Sequence, residues 1–239
     1  MIDIHSHIIP NVDDGVEKIE ESIKIIKESA ENGFSAIFCT PHYIENGYMS
    51  PKAKNEELIN ELRDNIKKQG INIELYLGNE VYISSKIVEL IKEGKCASLN
   101  NSRYILMELP VVSTVSYMED VIFKIAANGY VPVIAHPERY LFVQKDYKKL
   151  IKLVEMGALF QLNYGSIVGI YGNTAKKTAK ILLKNNLIHF LGTDTHKVNF
   201  IYKKIKKINK KICSIIGEEG LKKLSEINPN IIIEDGEYA

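Results

Sequence analysis

Five of the six histidines in this 239-residue chain fall in short motifs rich in side chains that bind metals. His5 and His7 lie in HSH, His42 ends CTPH, His136 opens HPER, and Asp194 and His196 close GTDTH. Glu80 ends LGNE, Glu108 lies in LMEL, and Asp14 is in the DDG that follows HSH. An H-x-H pair on an extended strand sends both imidazoles to one side, because strand side chains alternate with period two. D-x-H at Asp194 and His196 repeats the device. Imidazole and carboxylate without thiolate suit Mn²⁺, Fe²⁺ or Zn²⁺. Nine candidates (His5, His7, Asp14, His42, Glu80, Glu108, His136, Asp194 and His196) are too many for one ion. With one bridging carboxylate they could serve two or three.

Each residue alone has a plainer explanation. A single histidine at a strand end is usually a capped, satisfied polar group. Five of six in that position favour ligands instead. His189, inside the apolar run LIHFLG, reads as structural. Glu108, between Met107 and Leu109, would be a costly buried acid without a cation. Glu80 could cap a following helix, and either Asp13 or Asp14 could be a turn residue before Gly15. Spacing does not choose between those two. Arg139 is one of only three arginines, with Arg63 and Arg103, against 28 lysines. Its planar fork suits bidentate contact with phosphate, and a surface salt bridge is the alternative.

The elements that must position these residues alternate along the chain. Strand candidates are 1–5, 35–40, 72–78, 103–109, 130–136, 158–164 and 188–194, each short and apolar at consecutive positions. That pattern marks strands buried on both faces of a parallel sheet. Helix-period stretches lie between them at 17–33, 51–70, 84–93, 113–129, 144–157 and 173–186. In the first, Ile19, Ser22 or Ile23, Ile26 and Ala30 form one stripe. Gly33, Gly70, Gly129 and Gly157 mark helix stops. Seven β–α units without a linker read as one domain, 1–239, with a short exposed tail at about 230–239. The candidate ligands fall at strand ends, together with Gln161 and Asn163. A barrel gathers all such ends at one mouth, so a barrel is favoured over an open doubly wound sheet.

Composition agrees with a globular enzyme. A net charge of +1 gives no pull on nucleic acid. No apolar run is long enough for membrane insertion, and no secretory signal opens the chain. Three scattered cysteines (Cys39, Cys96 and Cys213) fit a reducing, cytoplasmic setting and no C-x₅-R thiol phosphatase loop. The lysine-rich 203–211 reads as a solvated helix face.

At HSHIIPNVDDG, CTPH, GNE, HPER and GTDTH the chain resembles the PHP (polymerase and histidinol phosphatase) superfamily of metallophosphoesterases. NNSRY, PVIAHPERY and QLNYGSIVG make it more similar to the manganese-dependent protein-tyrosine phosphatases of capsule and exopolysaccharide loci, the CpsB/CapC type. The resemblance implies an α/β fold, a distorted seven-stranded (β/α)7 TIM-like barrel of the PHP type, holding three divalent metal ions, Mn²⁺ first, with Fe or Zn as alternatives. It assigns His5, His7, Glu80 and Asp194 to one ion. Glu80, Glu108 and His136 go to the second, and Asp14, His42 and His196 to the third. The choice of Asp14 over Asp13 comes from the family. The implied substrate is a phosphotyrosyl protein, the tyrosine-rich tail of a bacterial tyrosine kinase controlling polysaccharide synthesis. Clustered divalent ions acidify a shared water for in-line attack on phosphorus, with Arg139, His136 and Glu80 as catalytic candidates. Tyr43, Tyr48, Tyr140 and Tyr164 are candidate aromatic contacts.

The resemblance departs at one point. Family members often carry a second phosphate-binding arginine shortly after D-x-H, where this chain has Ile201 and no later arginine. Lys197 or Lys203 would be a point charge in its place. Two other readings remain: a PHP phosphatase or phosphodiesterase acting on a small phosphoester such as histidinol phosphate, and a non-catalytic partner. The intact ligand set argues against the latter.

Overall fold

Every strand of the chain runs parallel to its neighbours. In the computed structural model, which describes residues 1–237, the strands are β1 (Ile2–Ser6), β2 (Ala36–Cys39), β3 (His42–Tyr43), β4 (Glu74–Leu77), β5 (Glu80–Tyr82), β6 (Tyr104–Glu108), β7 (Val131–Ala135), β8 (Leu159–Asn163) and β9 (Phe190–Gly192). They form a three-stranded sheet, β1-β2-β4, and a six-stranded sheet, β3-β5-β6-β7-β8-β9. A bridge between Ser6 and Thr195 joins the two. Its backbone bonds run from Asp194 N–H to His5 C=O and from His7 N–H to Thr195 C=O, both 2.9 Å. The parallel sheet therefore curls back on itself.

The nine segments differ from the seven strands expected because two are divided. Pro41, which has no N–H to donate, lies between β2 and β3. Gly78 and Asn79 lie between β4 and β5. Backbone bonds continue across both gaps, Gly78 N–H to Cys39 C=O at 3.0 Å and Glu80 N–H to Pro41 C=O at 3.1 Å.

Helices α1 (Ile19–Glu31), α2 (Lys52–Lys68), α3 (Ile87–Lys92), α4 (Met118–Ala127), α5 (Leu141–Lys145), α6 (Lys149–Glu155), α7 (Tyr164–Val168), α8 (Gly172–Lys184) and α9 (Ile205–Lys222) follow around the outside, and α10 (Asn228–Glu237) lies against the concave side. The stripe of α1 turns slightly from the expected one, burying Ser22, Ile25, Ile26 and Ser29 most deeply. The expected helix over 144–157 is two helices, because Asp146 is extended (φ −154°, ψ 94°) and accepts the Lys148 N–H at 3.1 Å. In α9 the lysines face water while Ile205, Ile208 and Ile212 are buried, as expected of 203–211.

Strand alternation divides the core. Ile37, Cys39, Leu75, Ile105, Met107 and Ile134 pack outward under the helices. Ile2, Ile4, Ala36, Phe38, Leu106 and Val133 form a second cluster on the concave side. The C-terminal residues close this second cluster. They were expected to be an exposed tail, yet α10 runs to Glu237, with Ile232 fully buried in the concave cluster. Asp235 accepts the Arg103 N–H at 2.8 Å and pairs with its guanidinium at 3.1 Å. Ala239 and Tyr238 of the expected tail lie outside the described residues. No helix is long and apolar enough to cross a membrane among the described residues.

Candidate metal centre

The first two ligands owe their direction to an irregularity in β1. Ile2 and Ile4 point into the concave cluster, so unbroken alternation would turn His5 away from it. Between Asp3 and Ser6 the pairing with β2 shifts, three steps on β1 matching two on β2. Such a bulge re-aims the following side chains. His5 and His7 then meet at Nε2–Nε2 3.1 Å, above the concave core. Gly192 on the neighbouring strand leaves the room: a Cβ there would lie 2.7 Å from His5 Cβ and from Gln161 Nε2.

Glu80 is the hub. Its Oε2 lies 3.3 Å from His5 Nε2, 3.4 Å from His7 Nε2 and 2.9 Å from His42 Nδ1. Its Oε1 lies 2.9 Å from His136 Nε2, which is itself 3.7 Å from Glu108 Oε1. Asp194 Oδ1 faces His5 Nε2 at 3.7 Å, His7 Nε2 at 3.5 Å and His196 Nδ1 at 3.6 Å. Asp14 Oδ1 is 3.5 Å from Nε2 of both His42 and His196. The eight candidates at strand ends, with Asp14 from the family likeness, thus come together at one mouth. His189 lies elsewhere.

Three tight donor groups emerge. They are His5, His7 and Glu80; His7, Asp14, His42 and His196; and His42, Glu80 and Glu108. The division differs in detail from the one the family likeness implies. His7 also belongs with the Asp14 group, its ring stacked on His196 at 4.0 Å. His42 stands with Glu80 and Glu108, where His136 was expected.

The donor chemistry fits cations. His42 Nδ1 and Glu80 Oε2 are buried and 2.9 Å apart, yet they make no aligned hydrogen bond with each other or with anything else. His136 Nδ1 is likewise buried without a partner. The facing pair His42 Nδ1 and Glu80 Oε2 offers lone pairs that a metal ion would satisfy. Charge points the same way. Burial and the neighbouring Glu80 push the Glu108 carboxyl up to about 7. Burial opposes a charged His5, but the Glu80 and Asp194 carboxylates outweigh it and raise His5 to about 9. Burial also works against a charged Glu80, which His5 and His42 nevertheless hold well below the usual carboxylate range. Carboxylates crowded this closely call for positive charge, whether protons or metal.

Outer partners fix the candidate ligands, an arrangement usual around metals. Gln161 Oε1 is 2.8 Å from His5 Nδ1, and Gln161 Nε2 donates to Asn163 Oδ1 at 2.9 Å. Asp13 Oδ2 is 2.7 Å from His7 Nδ1 and accepts the His42 N–H, while Oδ1 accepts the Gly15 N–H. The DDG pair therefore divides its work: Asp14 faces the mouth and Asp13 braces His7. His136 (φ 33°) and Asp194 (φ 52°) both adopt left-handed backbone at strand ends, a strained conformation typical of functional positions.

Arg139 reaches Asp194 Oδ2 at 2.9 Å, on the same side as Asn163 Nδ2 at 2.7 Å. Of the four tyrosines suggested for this mouth, Tyr43, Tyr140 and Tyr164 are buried in the core and offer no surface. Tyr140 instead ties β6 to β7, accepting the Leu109 N–H and donating to Ala135 C=O. Tyr48 is exposed and parallel to His42, ring centroids 6.0 Å apart. Ile201 is fully buried and Lys203 pairs with Glu28 at 3.2 Å, while Lys197 lies beside Asp14 and His196 at the mouth. Sequence reasoning missed Tyr171, and Glu138 of HPER, which it counted among the strand-end residues able to bind a metal, is turned to other partners. Glu138 is buried and accepts from Ser166 Oγ at 2.6 Å and Asn163 N–H at 3.2 Å. Tyr171 had a signal, lying between Gly169 and Gly172.

Known proteins with these features can now be compared. The family model for capsular polysaccharide synthesis, CpsB/CapC, matches residues 1–234. The putative tyrosine-protein phosphatase CapC of Staphylococcus aureus is 36% identical over 200 residues, 83% of this chain and 78% of that one. A crystal structure from the pair YwqE of Bacillus subtilis and CpsB of Streptococcus pneumoniae, unique metal-dependent tyrosine phosphatases, superposes with a TM-score of 0.86 and 31% identity, covering 99% of this chain and 93% of that one. The histidinol phosphate phosphatase of Lactococcus lactis, in complex with Zn, L-histidinol and phosphate, shares the fold at a TM-score of 0.60 and 16% identity, over 90% of this chain and 93% of that one.

Proposed function

Because the chain belongs to the CpsB/CapC family of capsular polysaccharide synthesis, we propose that it is a metal-dependent protein-tyrosine phosphatase. Its substrate in this reading is a phosphotyrosyl protein, the tail of a bacterial tyrosine kinase that controls capsule or exopolysaccharide synthesis, in the cytoplasm. The observation that carries it is Glu80, buried at the hub of four histidines with one carboxylate oxygen unpartnered.

The centre would hold three divalent ions, Mn²⁺ before Fe or Zn. His5, His7, Glu80 and Asp194 serve one, Glu80, Glu108 and His136 the second, and Asp14, His42 and His196 the third. In this reading the two divided strands count as single units of a distorted seven-stranded barrel. When bound, such ions supply Lewis acidity and an acidified water for attack on phosphorus. The chain's own residues do the rest. Glu80 would be shared by two of the ions and holds His136 in place at 2.9 Å. Arg139, at the rim, turns its guanidinium from Asp194 toward the phosphoryl oxygens and offsets their charge. Gln161 and Asp13 keep His5 and His7 in the tautomer that leaves Nε2 free.

The test is a substrate panel with Mn²⁺. Phosphotyrosyl peptide should turn over fastest, above phosphoseryl peptide and histidinol phosphate. Chelation or His136→Ala should abolish turnover. Faster turnover of histidinol phosphate would overturn the assignment in favour of a small-ester phosphatase.

A further inference from the structure

Arg139 is the one arginine near the centre. Arg63 donates to Leu75 C=O and Asn60, and Arg103 pairs with Asp235 at the far end of the sheet. With Ile201 buried where a second arginine is often found, Arg139 is the guanidinium this mouth can offer a phosphoryl group, beside the point charge of Lys197.

What holds it is an aromatic face. The Arg139 guanidinium carbon lies 4.7 Å from the centroid of the Tyr171 ring, within cation–π range. The Tyr171 hydroxyl donates to Asp194 Oδ2 at 3.2 Å, the oxygen that Arg139 Nη1 also contacts at 2.9 Å. Tyr171 thus touches both members of the Arg139–Asp194 pair.

The local sequence is built to present that ring. Tyr171 lies in the turn between α7 and α8, with left-handed glycines at Gly169 (φ +85°) and Gly172 (φ +93°). Residues other than glycine adopt such angles only under strain. A Cβ on Gly165 would approach the Tyr171 ring to 3.0 Å, so this glycine sets the depth at which the ring rests. The spacing GSIVGIYG therefore encodes a placed tyrosine.

We propose that Tyr171 is a positioning residue for phosphoester binding: its ring face orients Arg139. The proposal rests on reading the site as a phosphoester centre. A single arginine braced on an aromatic face then replaces the two-arginine grip often seen in the family.

The test is a double-mutant cycle on the metal-loaded protein, read by calorimetric binding of inorganic phosphate and by KM and kcat with a phosphotyrosyl peptide. Tyr171→Leu should weaken phosphate binding and raise KM about tenfold, with kcat changed less than about threefold, the scale of a partly desolvated cation–π contact. Tyr171→Phe keeps the face and should stay within about twofold in phosphate affinity. In an Arg139→Ala background, Tyr171→Leu should cost nothing further. Full additivity of the two losses, or a Phe variant as weak as Leu, would overturn the proposal. A readout independent of phosphate is the rate at which phenylglyoxal modifies Arg139, mapped by mass spectrometry. Tyr171→Leu should speed it several-fold, and an unchanged rate would sink the positioning role. If the parent bound no phosphate while this rate still rose, the phosphoester reading would fail and the brace would stand.

Discussion

His5 and His189 flank the same pair of neighbouring strands and are treated in opposite ways. His5, at the C-terminal end of β1, is raised to about 9 because Glu80 and Asp194 outweigh burial. His189 precedes β9 at the other end, where burial, with Lys223 nearby, pushes it down to about 4. Around His5 lie unpartnered lone pairs, left-handed ligands and crowded carboxylates. Around His189 the polar groups are satisfied: its Nδ1 accepts the Phe160 N–H at 3.1 Å and its carbonyl accepts from Asn228 Nδ2 at 2.7 Å. One end of the sheet is built for chemistry and the other for closure, as in barrel enzymes generally.

That contrast predicts separable losses. The largest belongs to the mouth. Glu80→Gln removes the carboxylate charge at the hub of the four histidines and should lower kcat/KM by roughly a thousandfold, the several kcal/mol that a metal supplies to a transition state. Loss of bound metal, measured by elemental analysis, should accompany it. A variant that kept full metal content and activity would break the assignment of the mouth.

The next effect belongs to the closed end. Ile232→Ala opens a void in the concave cluster beneath the strands and should cost about 3 kcal/mol of unfolding free energy. Denaturant titration would show it, while kcat and metal content stay at parent values. If activity fell in step with stability, the two ends would not be independent.

Between them lies Asp13→Asn. Asp13 touches no expected metal position, but it braces His7 and the His42 amide. Metal affinity should fall about 10–100-fold, as for other outer partners of ligating histidines. Equilibrium dialysis with Mn²⁺ would measure this. An unchanged affinity would make Asp13 only a turn residue.

The two ends were not equally readable from the sequence. The candidate residues at strand ends could be picked out because position along a strand follows from hydrophobic runs, and with Asp14, chosen by family likeness, they lie together at the mouth. The bulge in β1 was not visible, since a shifted register depends on pairing with β2. Asp13 and Asp14 could not be separated by spacing, because their roles depend on where His7, His42 and His196 arrive. At the closed end, IIIEDGEYA reads as an exposed tail, whereas its described residues, through Glu237, are helical and meet Arg103 and the concave core. Tyr171 was missed although its glycines were in plain sight, because the guanidinium it meets comes from 32 positions earlier in the chain.

The smallest effect tests the contrast by pH. His189 borders a cavity of about 200 Å³ lined by Lys223, Leu224 and Asn228. A proton on Nδ1 would break the Phe160 N–H bond and place a second cation near Lys223. Above about pH 6.5, His189 is neutral in both folded and unfolded chains and has no linkage to folding. As pH falls below that value the unfolded chain takes up the proton first. Stability should therefore drop between about 6.5 and 4 and level off for this group below 4. The full shift would correspond to about 3 kcal/mol, and partial solvent screening reduces the expected loss to about 1 kcal/mol. His5 acts with the opposite sign in the metal-free protein: its contribution is fully present below about 6.5 and is lost as pH rises through about 9. Subtracting the denaturation curves of His189→Asn, whose amide oxygen can still accept the Phe160 N–H, isolates the closed end from the mouth. A parent-minus-variant difference that stays flat from pH 7 to 4 would mean His189 is not held neutral, and the contrast between the two histidines would collapse.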